Sequence, residues 1–554
     1  MTTLSEFSGI PLAEETGIGS LTLGGFAREV SGRFTEHEAI CWRNLSGKMF
    51  RYSYREFYAE CRNIASALLA LGVSRGTRVG ILASNRPEWL FCVFGASMAG
   101  ATTVALNTFS PQRELKLQLE IADVSILLME AGVGSRNFIE EISGIVPGLG
   151  EYAPGELLTP ELPFLRRVVC IDATEGAPGI QSWADFRAAG ASISDALLDA
   201  ADDCVSPADD ALIFFSSGST AQPKAIRQSQ RAASLQCWRC GKMFDLDTES
   251  RVWNANGFFF SGNFAMAFGT LARGGCMVLL RYFDPDRALE LIEQERVTCV
   301  LAWPHQEARL KECPDWEARD FSSVKRMVAD SAFHDHPTVT SQWKGMNGYG
   351  STETFTFVAA VSGEDYNETN QGTVWPGNTI RIVDPETGET LPIGETGEIV
   401  VKGPTLMLGY LKSVSEDCFD REGFFHTADA GYFSESGHLY WKGRLSDMIK
   451  TGGANVSPAE INEILNQHPA VQYCHTVGVP DPTFGELVVA CVLLREGAEV
   501  EVSDIQSFAR ERLASYKVPR KVLFFDESEM PLTGSNKVKL ADLRTLAANR
   551  LANG

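Results

Sequence analysis

The chain has 554 residues, 44% hydrophobic and 22% charged, a globular composition on a length that exceeds one ordinary core, so two or more domains are expected. Its 49 Lys and Arg stand against 71 Asp and Glu, a net charge of −22, which argues against nucleic acid or anionic membrane as partners and requires local positive groups wherever an anion is held. Thirteen scattered cysteines, among them Cys92, Cys276, Cys299 and Cys491 in apolar surroundings, suit a reducing compartment better than a disulfide framework.

The first twenty residues have neither a basic start nor an apolar core, which excludes a signal peptide and leaves the cytoplasm as the expected location. From Ser53 to Leu128 helical and strand patterns alternate, as in a parallel sheet covered on both faces. TRVGILASN reads as a strand, and PEWLFCVFGASMAG as a helix with Pro87 at its first position. The uncharged run Trp89 to Leu106 reaches the length of a membrane span, but its Gly, Ser and Thr content and lack of basic flanks read as a buried helix entering a buried strand. Residues 132–208 carry little pattern.

ALIFFSSGSTAQPKAI (211–226) places an apolar strand before a loop of small hydroxylated residues, Ser216, Ser217, Ser219 and Thr220, around Gly218, followed by Pro223 and Lys224. Hydroxyls, backbone N–H groups and one ammonium on a loop are what a polyphosphate needs. Gly218 and Lys224 have the spacing of a P-loop, but Pro223 and Ala225 stand where that motif requires Gly and Ser or Thr, so no phosphate-cradling helix is expected to start there. Cys237 and Cys240, in CWRC, have no second pair or His at metal spacing.

SRVWNANGFFFSGNFAMAF reads as a strand, a Phe-rich turn and a small-residue helix; 297–304 and 324–331 read as buried strands, and MNGYGSTE (346–353) as a Gly-rich turn ending in an acid. From Ile380, IRIV, DPETG and EIVVKG alternate in hairpin fashion. A boundary falls near residue 445. Beyond it Ser457, Pro458 and Glu460 form a capping box for an amphipathic helix, Ser503 and Gln506 repeat the device, and the last hundred residues suit a small α+β domain.

Five stretches in this order and spacing resemble the adenylate-forming superfamily of acyl- and aryl-CoA synthetases, luciferases and peptide-synthetase adenylation domains. They are FFSSGSTAQPKAI, NGYGSTE, HTADAGYF, GRLSDMIKTGGANVSPAEI and PLTGSNKVKLADLR, and the similarity extends from about residue 50 to 545. NRPEW, DPETGE and SYKVPRKV add to it. The resemblance implies an α/β fold: a large N-terminal domain (1–445) of layered, mostly parallel sheets with helices and a small β-rich subdomain, then a small mobile α+β domain (446–554). It implies ATP, Mg²⁺ and CoA as cofactor and co-substrates and an apolar carboxylic acid as substrate, no integral membrane segment, and room for a homodimer.

The resemblance also assigns roles. Lys224 with Ser216, Ser217, Gly218, Ser219 and Thr220 would hold the leaving pyrophosphate. Tyr349, Gly350 and Ser351 would line adenine and phosphate, Thr352 would touch the α-phosphate, and Glu353 would hold Mg²⁺. Asp429 would accept the ribose hydroxyls, with Arg444 donating beside it. Lys537 would reach the oxygen between acyl group and phosphate. Ser446 would be the pivot between two poses of the small domain, and Gly452 and Gly453 would leave room for pantetheine.

Departures from the family pattern are Ala221, Ala225, Ala428 and Asn536 at usual Gly positions, Asp330–Phe333 in place of Gly-Gly-Ala-Pro, and Phe260 in place of a His. Phe258, Phe259, Phe260, Phe264 and Trp303 suit an apolar acid, fatty or ring-bearing. Transfer to an amine or a carrier-protein thiol, and a nucleotide-binding relative without catalysis, are the alternatives.

Overall fold

Strand Arg78–Leu82, helix Pro87–Met98 and strand Thr102–Ala105 follow the predicted alternation, with Pro87 at the first helical position. The computed structural model describes residues 3–553 apart from 174–175, 217–222, 329–330, 368, 413–417, 452–453, 514–516 and 533–537. The chain divides into two units, Ser8–Thr379 with Lys402–Gly423, and Met1–Phe7 with Ile380–Val401 and Phe424–Gly554.

The larger unit carries an eight-stranded sheet in the order Gln181–Ser182, Arg167–Cys170, Ile126–Met129, Arg78–Leu82, Thr102–Ala105, Asp210–Ser216, Lys224–Ser229, Gly409–Tyr410. The first six strands are parallel and the last two join antiparallel. A six-stranded sheet orders Arg326–Met327, Cys299–Leu301, Arg251–Asn254, Cys276–Leu280, Glu38–Arg43 and Met49–Ser53, parallel up to the closing hairpin. Helices Tyr54–Ala70, Pro87–Met98, Gln230–Met243 and Ser261–Ala272 share one core with residues of both sheets. The uncharged run is thus a buried helix and strand, and no helix among the described residues is long and apolar enough to cross a membrane.

A charged cluster joins the carboxyl ends of strands from both sheets. Glu130, fully buried, accepts from the Ser84 N–H at 2.7 Å and from Arg281 Nε at 2.9 Å. Arg86 reaches Asp172 at 2.6 Å. Burial works to raise the Asp172 carboxyl, but Arg86 and the Ala131 N–H outweigh it and hold it below its ordinary range.

Two local expectations change. MNGYGS is a strand, Met346–Ser351, paired antiparallel with Thr356–Ser362, because alternate positions find backbone partners despite the glycines; the turn is only residues 352–355. Ser503 does not cap its helix: Val502–Arg510 starts two residues earlier, after Glu501, and Gln506 instead donates to the Pro519 carbonyl at 3.0 Å.

The smaller unit holds a sheet in the order Glu6–Ser8, Thr379–Val383, Gly397–Lys402, Phe425–Phe433, Leu439–Arg444. Its second sheet is Ala454–Val456, Ile449–Thr451, Gly485–Leu494 and Val471–Asp481, with Lys521–Phe525 parallel to Gly485–Leu494. Helices Pro458–Asn466, Val502–Arg510 and Leu540–Asn553 complete it. Ser457 caps the first of these, but Glu460 turns away from the capping box to Lys517, 2.7 Å away.

Candidate active site

In the larger unit the hydroxyl-rich loop is a hairpin connection: Asp210–Ser216 pairs with Lys224–Ser229, and Ser216 lies opposite Lys224. A strand therefore follows the loop where a P-loop would start a helix. Ser217, Gly218, Ser219, Thr220 and Ala221 lie outside the described residues. Lys224 is exposed, and its ammonium lies 5.0 Å from the centre of the Tyr410 ring. Register explains the contact, since Tyr410 lies opposite Ile226 and Lys224 is its diagonal neighbour on the same face.

Tyr410 also donates its hydroxyl to Glu353 Oε1 at 3.0 Å, and the Met407 N–H donates to the Glu353 carbonyl at 2.7 Å. Gln228 donates from the Lys224 strand to the Thr352 carbonyl at 2.5 Å. The turn itself is tightly constrained. Thr354 Oγ1 accepts from the Ser351 N–H at 2.8 Å, Phe355 and Thr356 take positive φ, and buried Gln236 donates to both the Phe355 and Phe357 carbonyls at 2.7 Å. A Cβ at Gly350 would meet the Thr356 carbonyl oxygen at 1.8 Å, so only glycine fits that strand position. Tyr349 is buried, and the Ser351 hydroxyl and Gln228 Oε1 are buried with no hydrogen-bond partner among the described residues.

Thus Ser216, Lys224, Tyr349, Gly350, Ser351, Thr352 and Glu353 lie on the hairpin and the adjoining strand and turn. Gln228, Gln236 and Tyr410 tie those elements together and were not legible as functional residues.

On the acyl side, Phe258 and Phe264 are buried in the core against Trp89, with ring centres 5.4 and 6.1 Å away, and offer no surface to a ligand. Phe260 and Trp303 are half-buried and face each other at 5.8 Å, with Phe259 next to Phe260 at 4.7 Å. Asn85, from NRPEW, holds this turn: its amide donates to the Asn256 carbonyl at 2.8 Å and accepts from the Phe258 N–H at 3.2 Å. Asp330 lies outside the described residues; Ser331 and the Ala332 N–H donate to buried Glu307 at 2.9 and 2.6 Å.

In the smaller unit, Asp429 is buried in strand Phe425–Phe433, 3.1 Å from Arg444 Nε. Arg444 also donates to the Thr427 carbonyl at 3.0 Å, and the Asp429 N–H donates to Thr427 Oγ1 at 3.1 Å. Ala428 has φ of 57°, and its N–H donates to buried Glu398 at 3.0 Å, whose other oxygen meets His426 Nδ1 at 2.8 Å. Ser446 lies in the single turn Leu445–Asp447. Gly452, Gly453, Asn536 and Lys537 lie outside the described residues.

No group of three or more His, Cys, Asp or Glu side chains stands ready for a metal among the described residues. Glu353, as a single hydrogen-bonded carboxylate, fits an ion such as Mg²⁺, which takes one or two protein carboxylates and otherwise water and phosphate oxygens. Cys237 and Cys240 are buried on helix Gln230–Met243, and burial pushes the Cys240 thiol up to about 12.

A profile of AMP-binding enzymes matches residues 27–411, and one of the AMP-binding enzyme C-terminal domain matches residues 460–537. The chain is 30% identical over 508 residues to a feruloyl-CoA synthase of Amycolatopsis sp, across 89% of this chain and 93% of the relative. It is 28% identical over 520 residues to the medium-chain acyl-CoA ligase ACSF2, mitochondrial, of Danio rerio, across 90% and 84%. In fold it matches the anthranilate CoA ligase AuaEII, solved in complex with anthranoyl-AMP, with a TM-score of 0.80 and 24% identity over 96% of this chain and 98% of that one.

Proposed function

This chain belongs to the AMP-binding enzyme family and is an AMP-forming acyl-CoA synthetase that uses ATP and CoA, and we propose for its residues the following division of the reaction. The substrate carboxylate attacks the α-phosphorus of ATP, a C–O–P bond forms and pyrophosphate leaves. The thiol of CoA then attacks the acyl carbon, loses its proton, and AMP leaves. Two anions must meet in the first step, so the residues that matter are those that hold phosphate charge as it develops.

Lys224, with Ser216, Ser217, Gly218, Ser219 and Thr220, holds the leaving pyrophosphate. Tyr349, Gly350 and Ser351 bound the adenine and phosphate, and Thr352 donates to the α-phosphate. Asp429 accepts both ribose hydroxyls, and Arg444, 3.1 Å from that carboxylate, orients it. Glu353 holds Mg²⁺, which when bound neutralises phosphate charge. Lys537 donates to the oxygen between acyl group and phosphate. A C-terminal domain over 446–554 turns about Ser446 between the two steps, with Gly452 and Gly453 beside the pantetheine arm. Phe260 and Trp303 contact an apolar acid, fatty or ring-bearing.

The observation that supports these roles most is that Lys224, the Thr352 carbonyl and the Glu353 carboxylate are held by one group of contacts through Gln228 and Tyr410. The test is pyrophosphate release from ATP with a panel of apolar carboxylates, with and without CoA, and products identified by mass. An acyl-CoA product that requires both acid and CoA supports the reading. Acyl-AMP without thioester points to an amine or a carrier thiol as acceptor. Lys537→Ala should lower adenylation by roughly a hundredfold or more while thioester formation from synthetic acyl-AMP persists; equal loss of both half-reactions overturns its assignment.

A further inference from the structure

Tyr410 stands outside the residue roles given above, yet it touches two of the groups that carry them. Its ring lies under the Lys224 ammonium at 5.0 Å and its hydroxyl donates to Glu353 Oε1 at 3.0 Å. The residue is half-buried on the two-residue strand Gly409–Tyr410, the last strand of the eight-stranded sheet. That strand is fixed from both sides of the pairing: the Leu408 N–H donates to the Arg227 carbonyl and the Leu411 N–H to the Ala225 carbonyl, each at 2.8 Å. The Met407 N–H binds the Glu353 carbonyl, so the segment grips the backbone of the turn as well as its acid.

We propose that Tyr410 is a positioning residue that sets Lys224 and Glu353 as a pair: its hydroxyl aims the carboxylate and its ring supports the ammonium. The proposal rests on the assignment of Lys224 to phosphate and of Glu353 to the metal that accompanies it. Physically, an ammonium and a carboxylate left free to meet would form an ion pair and neutralise each other. A tyrosine between them engages both, the cation through the negative face of the ring and the anion through the O–H. Each charge then stays directed at its own ligand.

The two contacts separate by substitution. Tyr410→Phe keeps the ring and removes only the hydroxyl; Tyr410→Leu removes both. ATP binding is measured by titration calorimetry on the full chain, once with Mg²⁺ and once with the metal chelated, beside the thermal midpoint of each variant. For Tyr410→Phe the expected result is roughly tenfold weaker ATP binding in Mg²⁺, the loss of one charge-assisted hydrogen bond, with metal-free binding and thermal midpoint as in wild type. Tyr410→Leu should in addition weaken metal-free binding by about three- to fivefold, the scale of an exposed cation–π contact. A Tyr410→Phe protein whose ratio of Mg²⁺-dependent to metal-free affinity equals that of wild type overturns the proposal, as does an equal loss under both conditions, which is what loosened packing alone would give. Should Tyr410→Leu fail to fold, Tyr410→Phe decides. Wild-type protein that binds ATP equally with and without Mg²⁺ removes the Glu353 assignment itself and is recognised before any variant is made.

Discussion

Ala428 carries a methyl group through a backbone angle of φ 57°, between Asp429 and His426 in the sequence. For an L-residue that region costs about 1–2 kcal/mol, and the Glu398 carboxylate holds it there by accepting the Ala428 N–H. Ala428→Gly should relieve the strain and give back part of the gain to the unfolded chain, raising stability by about 0.5 kcal/mol. Denaturant unfolding checks this; a lower midpoint would mean that the methyl group packs usefully. Gly350 is the opposite case, because the Thr356 carbonyl occupies the space a Cβ would need. Family resemblance flags both positions, but only geometry separates the alanine that is tolerated under strain from the glycine that cannot be replaced.

At the scale of elements, the turn after Met346–Ser351 depends on helix Gln230–Met243. Gln236 on that helix supplies both donors to the Phe355 and Phe357 carbonyls, across two residues with positive φ. Gln236→Leu leaves two buried carbonyls without these donors and should cost about 2–4 kcal/mol, with adenylation falling along with stability; an unchanged unfolding curve would show that water replaces the amide. The strand–helix alternation from Arg78 to Ala105 could be read because apolar periodicity and Pro87 report on local backbone preference. Lys224, Thr352 and Glu353 stood out as candidates because their chemistry is unusual for a core, and the structure brings their elements together through Gln228 and Tyr410. Gln228, Gln236 and Tyr410 could not be read, since each acts on a partner more than a hundred residues away in sequence or across the sheet edge, and no local pattern encodes that pairing. Met346–Ser351 was misread as a turn for a related reason: its glycines mark close approach to the paired strand, a tertiary fact.

For the molecule as a whole, buried Arg86 and Glu130, with half-buried Arg281 and the more exposed Asp172, tie the two large sheets at their carboxyl ends. Asp172 has its pKa depressed in the fold, so its contribution is complete above the unfolded carboxyl pKa and is lost as pH falls through the folded value. Acid destabilisation from this group therefore begins below about pH 4. Asp172→Asn should be less stable than wild type at neutral pH, and the difference should shrink on acidification below that point; a constant gap in denaturant midpoint from pH 7 to 3 would contradict the assignment. With a net charge of −22, protonation of the other carboxylates relieves repulsion over the same range, so the comparison between variant and parent carries the information.

The smaller unit is assembled from three separated pieces of chain, with strand Glu6–Ser8 beside Thr379–Val383 and the Ser5 carbonyl accepting from the Ile382 N–H at 2.9 Å. During synthesis that first strand leaves the ribosome with its partner about 370 residues behind it. At about 5–20 residues per second the wait is on the order of 20–75 s. Through that interval the nascent chain carries an unpaired β-edge, and the Gly409–Tyr410 strand that completes the larger unit's eight-stranded sheet arrives later still. The larger unit therefore closes only once Gly423 has been made, and the smaller one, whose second sheet and last helix run on to Asn553, closes after it, so the chain's first strand stays unpaired in its own unit until most of the polypeptide exists.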